Sequence, residues 1–121
     1  VIMSPQHDGC YFDHKNFDSP LEPGRLGVNT VKAAYTCALV PRDAPSDMAS
    51  YVIGGECTLW TEAVTSAKFA EYMMFPRLCA FSEALWDEDD KKDFARFSRA
   101  AEVQKRRLAA IDILCYQGVL E

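Results

Sequence analysis

At 121 residues with 49% apolar side chains, the chain makes one domain at most, and the apolar fraction suffices for a packed core and excludes disorder. Its formal net charge of -5 argues against nucleic acid as a partner, because phosphate binding needs a basic face. No apolar run is long enough to span a bilayer, so no membrane segment is expected.

The cysteines, Cys10, Cys37, Cys57, Cys79 and Cys115, are odd in number and form no CxxC pair. Only His7 and His14 could join them as ligands, at spacings that fit no zinc arrangement, so zinc ligation is not expected. The thiols read as buried or half-buried small apolar groups. The chain opens at Val1 without an initiator Met or a leader pattern, and reads as cut from something longer.

In chain order, Val1-Ile2-Met3-Ser4 is a short apolar run that stops at Pro5, the tail of a buried strand. Residues 6–9 are loop-like. Cys10-Tyr11-Phe12-Asp13-His14 then alternates aromatic and polar, and an extended backbone would put Tyr11 and Asp13 on one face. Residues 15–26 hold Pro20, Pro23, Gly24 and several charges, which predicts an irregular surface loop. His7 and His14 read as exposed loop residues. A short helix is expected over Asn29–Tyr35, with Asn29 or Thr30 as its cap, and Pro41 ends it. Residues 42–50 form a second loop.

The centre of the chain is Val52-Ile53-Gly54-Gly55-Glu56-Cys57-Thr58-Leu59-Trp60-Thr61-Glu62. It reads as a buried strand whose last residues turn out into a site. Trp60 and Glu62, two apart on a strand, would project from the same face. That pairing suits a sugar: an indole covers the apolar face of a pyranose, and a carboxylate accepts from its hydroxyls. Ser66 can cap a helix running to Phe75, and Pro76 can open a second that runs to Trp86, with Leu78, Phe81, Ala84 and Leu85 as its buried stripe. The acidic break at residues 87–90 precedes a last helix over Lys91–Ile111, where acids favour its positive end. The inner face of that helix is expected at Phe94, Phe97, Ala101, Leu108 and Ile111, with Gly118 in a frayed tail. Arg77 reads as a structural ion-pair partner of Glu56, Glu62 or Glu83. The β/α alternation predicts parallel strands. Two strands cannot make a stable parallel sheet, so the chain describes part of a larger one.

Gly54-Gly55-Glu56-Cys57-Thr58-Leu59-Trp60-Thr61-Glu62, with Tyr72 to Trp86 behind it, resembles the C-terminal part of the family 20 glycoside hydrolases, the β-N-acetylhexosaminidases. Phe75-Pro76-Arg77 opening a helix that ends Glu83-Ala84-Leu85-Trp86 is similar to that family's Pro-Arg helix ending in Glu-x-x-Trp. Tyr11-Phe12-Asp13 resembles its Tyr-x-Asp element, and the loop Pro20-Leu21-Glu22-Pro23-Gly24 followed by Val31-Lys32-Ala33-Ala34-Tyr35 falls where the family has a Pro-rich loop and a short helix. Together these pieces cover nearly the whole chain, in order.

The resemblance implies an α/β fold, a (β/α)₈ barrel of which residues 1–121 are an incomplete C-terminal segment: strands 7 and 8 with the helices that follow them. It implies a retaining, substrate-assisted glycosidase that removes terminal N-acetylhexosamine, in which the sugar's acetamido oxygen is the nucleophile, and it implies no cofactor and no metal. It gives Tyr11 the acetamido carbonyl, Asp13 a sugar hydroxyl, that on C6, Trp60 the underside of the ring, and Glu62 the C4 hydroxyl. The family's His-x-Gly-Gly-Asp-Glu element, which carries the catalytic acid and its Asp partner, occurs nowhere in these residues. Asp87-Glu88 reads as a solvated helix boundary instead. The segment is therefore expected to be inactive alone, to need the missing N-terminal part of the barrel, and to self-associate through uncovered strand edges. The family places the whole protein in a periplasmic, secreted or lysosome-like setting. The reading from a different class is a non-catalytic sugar-binding or structural α/β module.

Overall fold

The computed structural model describes residues 1–41 and 43–121, without the side chains of Asp8 and Asp89. The loop expected over residues 42–50 therefore includes one residue, Arg42, that lies outside the described residues.

The described residues form an α/β unit. Two short strands, β1 (Ile2–Met3) and β2 (Gly54–Gly55), pair in parallel, Ile2 opposite Gly54 and Met3 opposite Gly55. The strand expected over Val52–Leu59 is thus shorter as a ladder than its pattern suggests, but the pairing does not stop there. Ile53 N–H donates to Val1 C=O at 3.0 Å and Glu56 N–H to Met3 C=O at 2.9 Å. A π-helical turn, Gln6–Cys10, then loops out of the first strand. Pairing resumes with Thr58 N–H on Cys10 C=O at 2.8 Å and Phe12 N–H on Thr58 C=O at 2.7 Å. Extra residues on one strand of a pair break the ladder locally and re-aim the residues beyond them. Here they deliver Tyr11 opposite Thr58 as an isolated parallel bridge.

The segment expected to be an irregular surface loop is irregular and largely exposed, and it folds back on the turn at residues 13–15. Arg25 N–H donates to Asp13 C=O at 2.8 Å, Lys15 N–H to Gly27 C=O at 3.0 Å, and Asn29 N–H to Lys15 C=O at 2.8 Å. Gly24 makes the approach possible: its φ is +130°, and a Cβ there would sit 2.8 Å from Lys15 N.

Four α-helices follow the sequence closely. The first, α1 (Val31–Tyr35), is capped by Thr30, whose Oγ1 accepts from Ala33 N–H at 3.1 Å. Ser66 caps α2 (Ala67–Met74) by accepting from Phe69 N–H at 3.1 Å. Pro76 stands at the cap of α3 (Arg77–Trp86), one residue ahead of its first turn. The last helix, α4 (Phe94–Ala110), starts later than expected because Asp93 caps it, its Oδ1 taking Arg96 N–H at 2.9 Å. Asp87 of the acidic break and Glu83 on α3 both hold the Arg96 guanidinium, at 2.9 and 2.7 Å.

The core gathers Phe12, Val31, Ala34, Tyr35, Ala80, Phe81, Phe97 and Ala101. Tyr35 stacks 5.0 Å from Phe97, and its hydroxyl accepts from Asp93 N–H at 2.8 Å, so one side chain ties α1 to the start of α4. Gly55 lets the strand close on this core, since a Cβ there would come within 2.6 Å of Leu39 and 3.2 Å of Phe81. The buried stripe of α3 is Arg77, Ala80, Phe81 and Ala84, a regular i, i+3, i+4, i+7 face. Leu78 is half-buried and Leu85 exposed, so the expected stripe was set toward the wrong flank. On α4, Phe97, Ala101 and Leu108 are buried as expected, Ile111 is exposed beyond the helix end, and Lys105 is buried against Glu102 at 2.7 Å. The tail is docked, not frayed: Tyr116 N–H donates to Phe75 C=O at 2.9 Å, and Leu120 C=O accepts from Lys32 N–H at 3.0 Å. Among the described residues, no helix is long and apolar enough to cross a membrane.

Candidate functional site: a sugar-binding wall

Because β1 and β2 are parallel, the segments after them leave the sheet at the same end. In α/β folds with parallel strands, sites gather there. The first segment brings Tyr11 and Asp13, the second Trp60 and Glu62.

Tyr11 is half-buried. Its backbone is pinned by the bridge to Thr58, and its C=O accepts from Asn29 Nδ2 at 2.9 Å. Its ring meets His14 edge-on at 5.8 Å, and its hydroxyl has no hydrogen-bond partner among the described residues. The chain turns directly after it, so Tyr11 and Asp13 do not share a strand face as an extended backbone would have had it. Asp13 is 3% exposed; Oδ2 accepts from Arg25 Nε at 2.8 Å, while Oδ1 is buried without a partner among the described residues. Trp60 and Glu62 also differ from the strand geometry expected of them. Trp60 stands at the entry of a 3₁₀ turn, Thr61–Ala63, and Glu62 lies inside that turn. Trp60 is half-exposed, and the Glu62 carboxylate reaches back to Arg25, with Oε1 3.3 Å from Nη1. The structure thus joins Asp13 and Glu62 through a residue that the sequence reading left in a loop. The composition of residues 15–26 signals a turn-rich segment and nothing about Arg25.

Behind this wall lies a buried polar layer that sequence reasoning also missed. Glu22 is 6% exposed and is held by Asn16 Nδ2 at 3.0 Å and by the Tyr72 hydroxyl, which donates at 3.1 and 3.0 Å to its two oxygens. Burial, with the Glu22 carboxylate next, drives the Tyr72 phenol well above its ordinary range. Arg77 is fully buried, and it pairs with none of the glutamates proposed for it. Its guanidinium donates to the carbonyls of His14 at 2.9 Å, Asn29 at 3.0 Å, Phe12 at 2.6 Å, and Met73 from both Nε, at 2.9 Å, and Nη2. Burial pulls its pKa down to about 10, which keeps it charged at neutral pH. Phe12 and His14 flank Asp13, so Arg77 grips the site turn from behind.

His14 is 4% exposed and not the exposed loop residue expected, and its Nε2 has no partner among the described residues. Burial lowers its pKa below the ordinary 6.5. Below that pH the unfolded chain takes up a proton that the folded chain resists, so folding stability is expected to fall as pH drops through about 6.5 and below. Thermal melting between about pH 8 and pH 5 checks this. A His14→Gln variant that loses stability as steeply as the wild type over that range would sink the assignment.

No group of three or more His, Cys, Asp or Glu converges to hold a metal among the described residues. Cys10 and Cys37 are buried thiols with their sulfurs 3.4 Å apart, behind the site turn. A groove of about 620 Å³ between α3 and α4 includes none of Tyr11, Asp13, Trp60 and Glu62.

Residues 1–89 match the family model described as glycosyl hydrolase family 20, catalytic domain. The chain belongs to glycosyl hydrolase family 20. A β-hexosaminidase from Porphyromonas gingivalis is 36% identical over 100 residues, which are 82% of this chain and 13% of that protein. A β-N-acetylhexosaminidase from Cellulomonas fimi is 33% identical over 81% of the chain and 20% of its own length. Among solved structures, a family 20 β-N-acetylhexosaminidase from Streptomyces coelicolor superimposes with a TM-score of 0.82 at 30% identity, covering 97% of this chain and 24% of that one. An exo-β-N-acetylglucosaminidase from Vibrio harveyi, in complex with N-acetylglucosamine, gives 0.74 at 26% identity over 91% of the chain and 18% of its own. The family 20 chain thus spans a quarter or less of these relatives. Tyr11, Asp13, Trp60 and Glu62, with Arg25, Glu22 and Arg77, fall inside the matched region of the family. Chemically the wall offers a phenol donor, an indole face and two carboxylate acceptors, a set suited to a neutral polyhydroxylated ring.

Proposed function

We propose that this chain is the C-terminal segment of the catalytic barrel of a β-N-acetylhexosaminidase, with β1 and β2 at the positions of the seventh and eighth strands. The observation that carries the reading is the Asp13–Arg25–Glu62 cluster, with Tyr11 bridged to Thr58, at the C-terminal end of a parallel strand pair and within the residues that match the family. The substrate is a terminal, non-reducing N-acetylhexosamine on a glycan. Trp60 packs beneath the ring, Asp13 accepts from the C6 hydroxyl and Glu62 from the C4 hydroxyl. The Tyr11 hydroxyl donates to the acetamido carbonyl and holds that oxygen in line with the anomeric carbon. The acetamido oxygen attacks, the leaving oxygen is protonated by an acid outside this chain, and water opens the cyclic intermediate with net retention.

The division of labour gives an expected result. The 121-residue chain is expected to show no turnover of a chromogenic β-N-acetylglucosaminide above background, whereas the longer protein with the upstream Asp-Glu pair hydrolyses it. Turnover by the isolated chain would overturn the placement of the acid. An inactive longer protein would overturn the assigned activity. The side chains of Ile2 and Ile53, 58% and 79% exposed beside the strand pair, are surfaces that neighbouring barrel elements would cover. In the isolated chain they are the surfaces for self-association.

A further inference from the structure

We propose that Arg25 is a positioning residue, whose guanidinium spans the Asp13 and Glu62 carboxylates and sets the spacing at which the two meet one sugar ring. The inference deepens the reading above and rests on it.

Three separate segments converge here: the turn after β1, the returning segment at residues 25–29, and the 3₁₀ turn after β2. Nε of Arg25 donates to Asp13 Oδ2 at 2.8 Å, and Nη1 lies 3.3 Å from Glu62 Oε1. Two carboxylates turned toward one small ligand repel each other, and a cation between them offsets that repulsion. The guanidinium suits the task because its donors sit on separate nitrogens in a rigid plane and can address two acceptors at once, which a point-charge ammonium does poorly. Its backbone is held as well. Arg25 N–H is bonded to Asp13 C=O, and Gly24 before it is pressed against Lys15 at a φ that excludes a side chain.

The two carboxylates depend on it unequally. Asp13 is buried, with one oxygen on Arg25 and the other still able to accept. Glu62 stands on a three-residue turn with its side chain 61% exposed, and Arg25 is its partner among the described residues. A half-exposed ion pair of this kind contributes little to stability. Removing Arg25 should release the Glu62 carboxylate; it also takes the cation from the buried Asp13, which lowers stability, so melting temperature is read beside the kinetics.

The experiment uses the longer enzyme and two chromogenic substrates, the β-N-acetylglucosaminide and the β-N-acetylgalactosaminide, which differ at C4, the carbon whose hydroxyl Glu62 holds. Arg25→Met is expected to raise KM for the first about tenfold with kcat changed far less, and to weaken the dissociation constant of free N-acetylglucosamine by a similar factor. It is also expected to shift the preference between the two substrates, which a merely structural loss would not move. Arg25→Lys, which keeps the charge and loses the fork, should lie between the two; if Arg25→Met is insoluble, the lysine variant carries the same comparison. An active wild type whose soluble Arg25 variants keep KM, sugar affinity and substrate preference overturns this inference alone. A wild type without turnover overturns the underlying reading and the inference with it.

Discussion

Replacing Arg77 with methionine is expected to abolish folding, or to leave a protein that melts far below the wild type. Methionine fills a similar length of apolar space but donates no hydrogen bond. Four buried carbonyls, those of Phe12, His14, Asn29 and Met73, would lose the guanidinium at once. Each buried acceptor stripped of its donor costs about 1–3 kcal/mol, so the sum is on the order of 4–12 kcal/mol. That is comparable with the whole stability of a domain, roughly 5–15 kcal/mol. The contact of the guanidinium with the Phe12 ring, 5.1 Å from its centroid, is lost as well. Lysine should rescue only part of this loss, since three protons on one nitrogen cannot reach four carbonyls spread around a plane. Denaturant or thermal unfolding of the two variants checks the order: wild type, then lysine, then methionine. A methionine variant within about 1 kcal/mol of the wild type would show that the carbonyls find other donors.

The role of Arg77 bears on how the site is built. The carbonyls it gathers belong to the turn that carries Asp13, to the end of the segment that carries Arg25, and to α2. One buried cation therefore fixes the backbone on either side of Asp13 from the helix side. A sequence pattern cannot announce this. Arg77 follows Pro76 at the opening of a helix, and its sequence context points to a structural ion pair with a glutamate. What decides its role is which carbonyls arrive from 48, 63 and 65 residues away.

The parts of the fold that were legible are those governed by near neighbours. Thr30 and Ser66 cap their helices because a hydroxyl reaches an N–H three residues on, a contact set by local geometry. The parallel strand pair was legible from the β/α order. The strand at residues 52–59 was overextended because its pattern describes burial, while a ladder needs a neighbour, and the first strand interposes a π-helical turn. Trp60 and Glu62 were placed on one face by counting two residues along a strand, and the chain had already left the strand for a 3₁₀ turn. Arg25, Asn16 and Glu22 were illegible for a different reason. Their segment is rich in Pro, Gly and charge, which reads as solvent-facing, and only long-range pairing with residues 13–15 buries Asn16 and Glu22.

Tyr11→Phe in the longer enzyme is expected to lower kcat about a hundredfold while leaving the fold unchanged. The fold should persist because the phenol oxygen bonds nothing among the described residues, unlike that of Tyr72, which holds both oxygens of Glu22. The ring keeps its edge contact with His14, and the backbone keeps its bridge to Thr58, whichever residue is present. The rate should fall because of the proposed chemistry. An acetamido group rotates freely in solution, and an internal nucleophile is effective only when its oxygen is held near the anomeric carbon. A single hydrogen bond to that carbonyl restricts the rotation, and it strengthens as the charge distribution of the group changes in the transition state. KM should therefore change less than kcat. The measurement is steady-state kinetics on a chromogenic β-N-acetylglucosaminide, with melting temperature as the control. A variant with full kcat would remove Tyr11 from the catalytic machinery and leave it as a wall of the pocket. A variant that lost kcat and stability together would show that the hydroxyl serves the fold.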